Sequence, residues 1–420
     1  MKILHVLQQL PMKTGSGVYF SNLIDEFNKL GVENIALYAI ESPYKADLNC
    51  KSYEVEFNTP KLPFPIPGMS DIMPYESTRF SDATRAMLDD YLAAFENRLT
   101  KIKEEHDFDM IFCHHLFLVT DLVRRLFPDK KIYAFSHGTD LRQVDRYPGF
   151  LKSLTAIKDL DHIFTVNPKN IDEIIKLFDI DRDKITNIGG GFNQNIFNDD
   201  YIKDGLEKNE KNEKNEKNEK NEKDDKDELK IIYAGKISPS KGVHALAMAL
   251  PIIEEKYPNV KMHLIGAADD ETKEELSREA EGSSNLLVYN SQTQESMAKI
   301  LKEGDVFVLP SYFEALGLIA IEALACRKFV VTSDIEGLKN QLGEVVNNSG
   351  AIIYTKLPRI YDLDKPYEED IKDYVERLAE NIIAQLDKVV RGEIISDEIM
   401  KEIDKNSWQA LAKKIYDMIN

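Results

Sequence analysis

Glu314 and Glu322 stand in the stretch Ser311-Tyr312-Phe313-Glu314-Ala315-Leu316-Gly317-Leu318-Ile319-Ala320-Ile321-Glu322-Ala323-Leu324-Ala325. The run before it, Asp305-Val306-Phe307-Val308-Leu309-Pro310, reads as a short buried strand, and Lys328-Phe329-Val330-Val331-Thr332-Ser333 reads as another. Between them, residues 318–326 are apolar on nearly every face except at Glu322, which predicts a helix packed inside a domain. An ionised carboxylate in such a helix is costly unless it meets a partner. The partner is either an Arg or Lys of the core, with Glu314 merely solvated, or a ligand rich in hydrogen-bond donors. Strand, turn, helix, strand is a parallel crossover unit, and ligands of open α/β sheets sit where strands end and helices begin. A ligand at that turn would also meet free backbone N–H groups near Gly317.

A second candidate is Ala234-Gly235-Lys236-Ile237-Ser238-Pro239-Ser240-Lys241-Gly242, where a strand ends at Gly235 and a helix starts at Gly242. Strand, glycine, loop and helix can bring backbone amides to a phosphate, with Lys236 and Lys241 adding point charge. The glycine spacing is not that of a Walker loop, and two solvated surface lysines are the competing reading. Near the N-terminus, Thr14-Gly15-Ser16-Gly17-Val18 permits close approach of backbone to a ligand. Phe20 occupies the third small-residue position, which disfavours a dinucleotide fingerprint. Histidines collect at strand ends, His114 and His115 after one strand and His137 in Ser136-His137-Gly138 after the next. A zinc site from these three is disfavoured, because adjacent histidines diverge and no further ligand completes a set. His137, between Ser136 and Gly138, is expected to face a cleft.

The elements that must position these groups alternate in type. Strands are predicted over 3–7, 34–39, 110–113, 132–135 and 162–166, with helices over 19–30 and 81–105. Prolines 60, 63, 65, 67 and 74 mark an irregular stretch whose Phe64, Ile66, Met69 and Ile72 favour an ordered lid or wall. Residues 208–228 carry five Lys-Asn-Glu triplets and no apolar residue, which reads as a solvated helix or tether at the domain junction. The segment's seven lysines and nine acids leave about −2, so it does not carry the chain's acidity. Alternation then restarts, with strands over 230–234, 261–265 and 286–289 and helices over 243–257, 294–303 and 367–389. The last helix, 407–419, has an apolar face that needs a partner surface, with Ser407 as its N-cap. The domains implied are 1–200, a linker over 201–229, and 230–404, with 405–420 packing back on the first.

The net charge of −19 argues against a nucleic-acid partner. Cys50, Cys113 and Cys326 are widely spaced and odd in number, as expected of a reducing compartment. No apolar run approaches the roughly 18–20 residues of a membrane span, and the N-terminus reads as a strand. A cytoplasmic protein with no cofactor and no metal is the expectation.

Taken together, Gly15/Gly17, Ser136-His137-Gly138, Gly235-Lys236…Lys241-Gly242 and Glu314…Glu322 resemble glycosyltransferase family 4, retaining enzymes of the GT-B fold. The segment Ile188-Gly189-Gly190-Gly191-Phe192-Asn193 resembles that family's interdomain passage, with Asn193 where Asp is common. The resemblance implies two Rossmann-like, doubly wound parallel-sheet domains facing each other across a cleft. It implies a nucleotide-sugar donor, UDP-linked as the commoner choice, and an acceptor hydroxyl on a glycan, a lipid-linked sugar or a small molecule. Peripheral membrane association would suit a lipid-linked acceptor, although no basic amphipathic helix announces it. By motif match, Lys236 and Lys241 would neutralise the diphosphate and Glu322 would bind ribose hydroxyls. Glu314 and His137 would contact the sugar, Gly235, Leu316, Gly317 and Leu318 would approach sugar and phosphate, and Gly15 and Gly17 would sit near phosphate and acceptor. Family members usually carry Arg where Lys236 stands, and Lys lacks the fork geometry. A sugar-nucleotide 2-epimerase of the same architecture and a non-catalytic sugar-nucleotide binder are the alternatives.

Overall fold

The computed structural model describes residues 1–10, 14–71, 73–200, 228–314, 316–362 and 364–420. The chain forms two compact units, Met1–Gly190 together with Trp408–Asn420, and Gly191–Ser407. All five Lys-Asn-Glu triplets lie outside the described residues.

The first unit is built on a seven-stranded sheet of β1 (Lys2–Leu7), β2 (Glu33–Glu41), β3 (Lys51–Phe57), β4 (Met110–His114), β5 (Lys131–Ser136), β6 (His162–Thr165) and β7 (Ile185–Asn187). Its order is β3-β2-β1-β4-β5-β6-β7, with every pairing parallel. A parallel sheet is covered on both faces, so its strands are apolar on both. Leu4 and Val6 of β1 enter the core that holds α2 (Arg85–Glu105) through Tyr91, Phe95 and Leu99. Ile3 turns to the opposite face, where α1 (Gly15–Lys29) meets the helix at Trp408–Ile419 through Leu23, Phe27, Leu411 and Ile415.

The second unit repeats the plan. Its six strands are β8 (Lys230–Ala234), β9 (Lys261–Ile265), β10 (Leu286–Tyr289), β11 (Val306–Leu309), β12 (Phe329–Ser333) and β13 (Ile352–Thr355). They run parallel in the order β10-β9-β8-β11-β12-β13. Helices Val243–Lys256 and Glu368–Val390 cover one face, and the helix Leu318–Ala325 covers the other with Asp397–Asp404.

The structure corrects several expectations. Helix α1 begins at Gly15 rather than at 19, because the Thr14 hydroxyl accepts from the Gly17 N–H at 3.1 Å and caps it. Strand β3 and the helices Asp270–Glu279 and Asp397–Asp404 were not anticipated. The proline-rich stretch is a wall rather than a lid: Phe64, Ile66 and Met69 are buried in the core. It is pinned by the Gln9 side-chain carbonyl, which accepts from the Met69 N–H and the Tyr75 hydroxyl, each at 3.0 Å. Ile72 lies outside the described residues. The first boundary falls at Gly190, not near 200, since Phe192 and Phe197 are buried in the second unit's core. The last helix, Trp408–Ile419, begins right after Ser407, the residue expected to cap it.

Candidate functional site

In the second unit β8 is flanked by β9 on one side and β11 on the other, so chain order reverses between β8 and β11. The crevice outside the carboxyl ends of such strands is where open α/β sheets bind ligands. The loop after β8 carries Gly235, Lys236 and Lys241, and the loop after β11 carries Glu314.

These loops are knitted together. Gly242 has φ +67°, and a Cβ there would stand 2.0 Å from the Pro310 carbonyl oxygen, so only glycine lets the two backbones approach. The Tyr312 N–H donates to the Ser240 carbonyl at 3.0 Å. Lys241 Nζ lies 2.7 Å from Glu314 Oε1 and 3.4 Å from the Phe313 carbonyl, and the Ser311 hydroxyl donates to the same carboxylate oxygen at 3.2 Å. The Tyr233 hydroxyl donates to the Lys236 carbonyl at 2.8 Å and holds the turn.

A cavity of about 350 Å³ opens here. Gly235, Lys236, Lys241 and Glu314 line it, together with Tyr233, Ala234, Ile265, Ser291, Gln292, Met297, Leu309 and Ile319. Two cations and one carboxylate thus surround an apolar floor. The Lys236 side chain is exposed and has no ion-pair partner among the described residues. Ser291 and Gln292 escaped the sequence reading, although their place after the end of β10 was the available signal.

Leu316, Gly317, Leu318 and Glu322 belong to the same turn and helix but do not line that cavity. Gly317, at φ +73°, starts the helix Leu318–Ala325, and no side chain caps its first turn. Its first-turn N–H groups, at the positive end of the helix dipole, therefore have no side-chain cap among the described residues. Glu322 is flanked by buried Ile321 and Ala323, and its carboxylate has no ion-pair or hydrogen-bond partner among the described residues. Burial pushes its pKa up to about 8. Among the described residues, no core cation takes the place offered as its alternative partner.

The remaining candidates lie in the first unit. Gly15 and Gly17 form the first turn of α1, where the Gly17 N–H is already taken by Thr14. His137 follows β5, next to Gly138, which starts the helix Thr139–Arg146. Its ring is partly buried, with Nε2 3.2 Å from Nδ1 of His114. Burial, with His115 nearby, lowers its pKa to about 3, against the opposing pull of Asp140. Buried Asp140 accepts from the Leu116 N–H at 2.8 Å and the Ser136 hydroxyl at 3.1 Å, bracing the two strand ends. Among the described residues no group of three or more His, Cys, Asp or Glu is arranged to hold a metal ion.

Two doubly wound parallel sheets, each with polar groups at its strand ends, are the GT-B architecture of glycosyltransferases. Residues 213–383 match the family described as glycosyl transferases group 1. An uncharacterized glycosyltransferase of Methanocaldococcus jannaschii is 26% identical over 197 residues, covering 47% of each chain. A D-inositol 3-phosphate glycosyltransferase of Segniliparus rotundus is 29% identical over 136 residues, covering 31% of this chain and 30% of that one. These matches span about half or less of the length of the curated relatives. Among solved structures, sucrose-phosphate synthase from Thermosynechococcus elongatus superposes with a TM-score of 0.65 at 16% identity, covering 100% of this chain and 98% of that one. Anabaena HepE, in complex with UDP and glucose, gives 0.60 at 13% identity over 100% and 99%.

Proposed function

We propose that this chain is a retaining glycosyltransferase that moves a sugar from a nucleotide-diphosphate sugar, UDP-linked, to an acceptor hydroxyl. The observation that carries the reading is the placement of Lys236, Lys241 and Glu314 around one cavity at the strand-order reversal of the second unit. The UDP complex of the Anabaena relative supports the choice of nucleotide.

The chemistry follows from charge. When the anomeric C–O bond breaks, negative charge develops on the diphosphate. Cations and N–H groups held in place beforehand stabilise it without reorganising. Lys236, with no competing carboxylate among the described residues, and the uncapped helix start at Gly317 are assigned to that charge. Lys241 is divided between the diphosphate and Glu314, so donor binding loosens or shares this ion pair. Glu314, held by Lys241 and Ser311, is a fixed acceptor for sugar hydroxyls rather than an unencumbered nucleophile. Attack of the acceptor on the face that the leaving group departs then gives retention. Glu322 is assigned to the ribose, and Gly235, Leu316 and Leu318 to close approach of backbone. His137 is assigned to a sugar hydroxyl by its motif. Three free cysteines, two of them buried, support a cytoplasmic setting.

The test is a panel of nucleotide sugars, with thermal shift for binding and product anomer analysis for transfer. A UDP-sugar is expected to stabilise the protein and to give an α-linked product from an α-linked donor. Lys241→Ala should lower turnover by roughly a hundredfold to a thousandfold, the scale for losing one preorganised charge-stabilising group. An inverted product, or full turnover in a folded Lys241→Ala protein, overturns the assignment.

A further inference from the structure

We infer that His114 is a positioning residue that holds His137 in a single tautomer, so that His137 carries its proton on Nδ1 and can donate it to a sugar hydroxyl. This rests on the assignment of His137 to a sugar hydroxyl. His114 ends β4 and His137 follows β5, the neighbouring strand, on which Phe135 is registered opposite His114. The two imidazoles are stacked with centroids 5.5 Å apart and planes 12° from parallel. Phe135 also stacks on His114 at 4.9 Å and 12°, while Phe20 meets it edge-on at 5.2 Å and Tyr19 meets His137 edge-on at 5.2 Å. His114 is buried, so neither ring orientation nor hydrogen bonding is averaged by solvent.

The distance from His114 Nδ1 to His137 Nε2 is 3.2 Å, a hydrogen bond that needs one proton between the two nitrogens. Burial keeps both rings neutral, so two arrangements remain. If His137 Nε2 carried the proton, His114 would accept at Nδ1 and leave an N–H at Nε2. That Nε2 is buried and has no partner among the described residues. An orphaned buried donor is rarer and costlier than an under-used acceptor. The other arrangement avoids it: His114 Nδ1–H donates, His137 Nε2 accepts, and the proton of His137 sits on Nδ1. In that state His137 can donate to a hydroxyl oxygen but cannot take a proton at Nδ1. It is a binding group for the sugar, not a resting general base.

The decisive measurement is long-range ¹⁵N–¹H correlation of the imidazoles in ¹⁵N-histidine-labelled protein, with His114 and His137 assigned through His114→Asn and His137→Gln. Both rings are expected as Nδ1–H tautomers. His114 found as the Nε2–H tautomer overturns the inference, and this arm stands whether or not any sugar is transferred. In the kinetic arm His114→Leu is expected to lose roughly tenfold or more in kcat, the order of a misplaced contact group. His114→Asn, which restores a donor near the Nδ1 position, is expected to recover most of that loss. Equal activity in wild type and both variants, or Asn as impaired as Leu, shows that only packing matters and overturns the positioning role.

Discussion

At the scale of single residues, Glu322 makes the sharpest statement about pH. Its carboxyl ordinarily titrates near 4.5, and burial without a cationic partner raises that to about 8. Below about 4.5 the group is protonated in folded and unfolded chains alike, and its contribution to stability is complete. As pH rises towards about 8, the unfolded chain releases the proton while the folded protein keeps it, so stability falls. Above about 8 both states are ionised and the loss levels off. Glu322→Gln, which imitates the protonated acid, should therefore abolish this part of the decline. Urea denaturation of both proteins at pH 5 and pH 8.5 checks it, and an unchanged difference between them contradicts the burial argument. Ribose hydroxyls would favour the ionised acceptor, so UDP affinity should rise with pH in wild type and flatten in the Gln variant. That a carboxylate at 322 would be costly was legible, because a single acid among apolar residues has few harmless directions. The Lys241–Glu314 pair was not, since its partners are 73 residues apart and only the folded sheet joins them.

At the scale of elements, the loop at the candidate site is an arrangement of backbones before it is an arrangement of side chains. Gly242 stands at φ +67° with no room for a Cβ against Pro310, and it leads directly into the helix Val243–Lys256. Gly242→Ala must either push the loop off β11 or strain itself, at a cost of about 1–3 kcal/mol for the left-handed backbone alone. Both outcomes separate Lys241 from Glu314. The expected result is a lower unfolding midpoint together with weaker UDP binding, read by urea titration and calorimetry. A destabilised variant with unimpaired UDP binding would show that the loop's register does not matter to the ligand. Three short apolar strands and one amphipathic helix of this unit were read correctly to the residue, at 230–234, 261–265, 286–289 and 294–303. The helix Asp270–Glu279 was missed because Leu276 is its one buried residue, so no apolar stripe marks it. Strand β3 alternates Tyr53, Val55 and Phe57 with polar residues at the edge of its sheet, a period-two signal that was present but short.

At the scale of the whole chain, the first unit is not finished by the first half of the sequence. The chain leaves it at Gly190 and returns at Trp408, and outgoing and returning segments meet where the Phe192 N–H donates to the Asn406 carbonyl at 3.1 Å. The returning helix then fills the face of the first sheet: Trp408 packs edge-on against Tyr19 at 4.8 Å, and Leu411, Ala412, Ile415 and Ile419 join Phe27 and Phe112 in one cluster. Long-range closure of this kind slows folding, because the loop entropy is lost before the contacts form. The same Tyr19 edge supports His137, so the last helix also braces a candidate site residue. Trp408→Ala should cost about 3–5 kcal/mol, the range for removing a buried large aromatic. That loss belongs to the first unit, whereas UDP is assigned to the second. Differential scanning calorimetry with and without UDP should show the variant's early transition insensitive to nucleotide, and a later one that UDP still raises. If the lowered transition is the one that UDP shifts, either the helix supports the second unit or the nucleotide binds the first, and UDP titration of an isolated 191–407 fragment decides which.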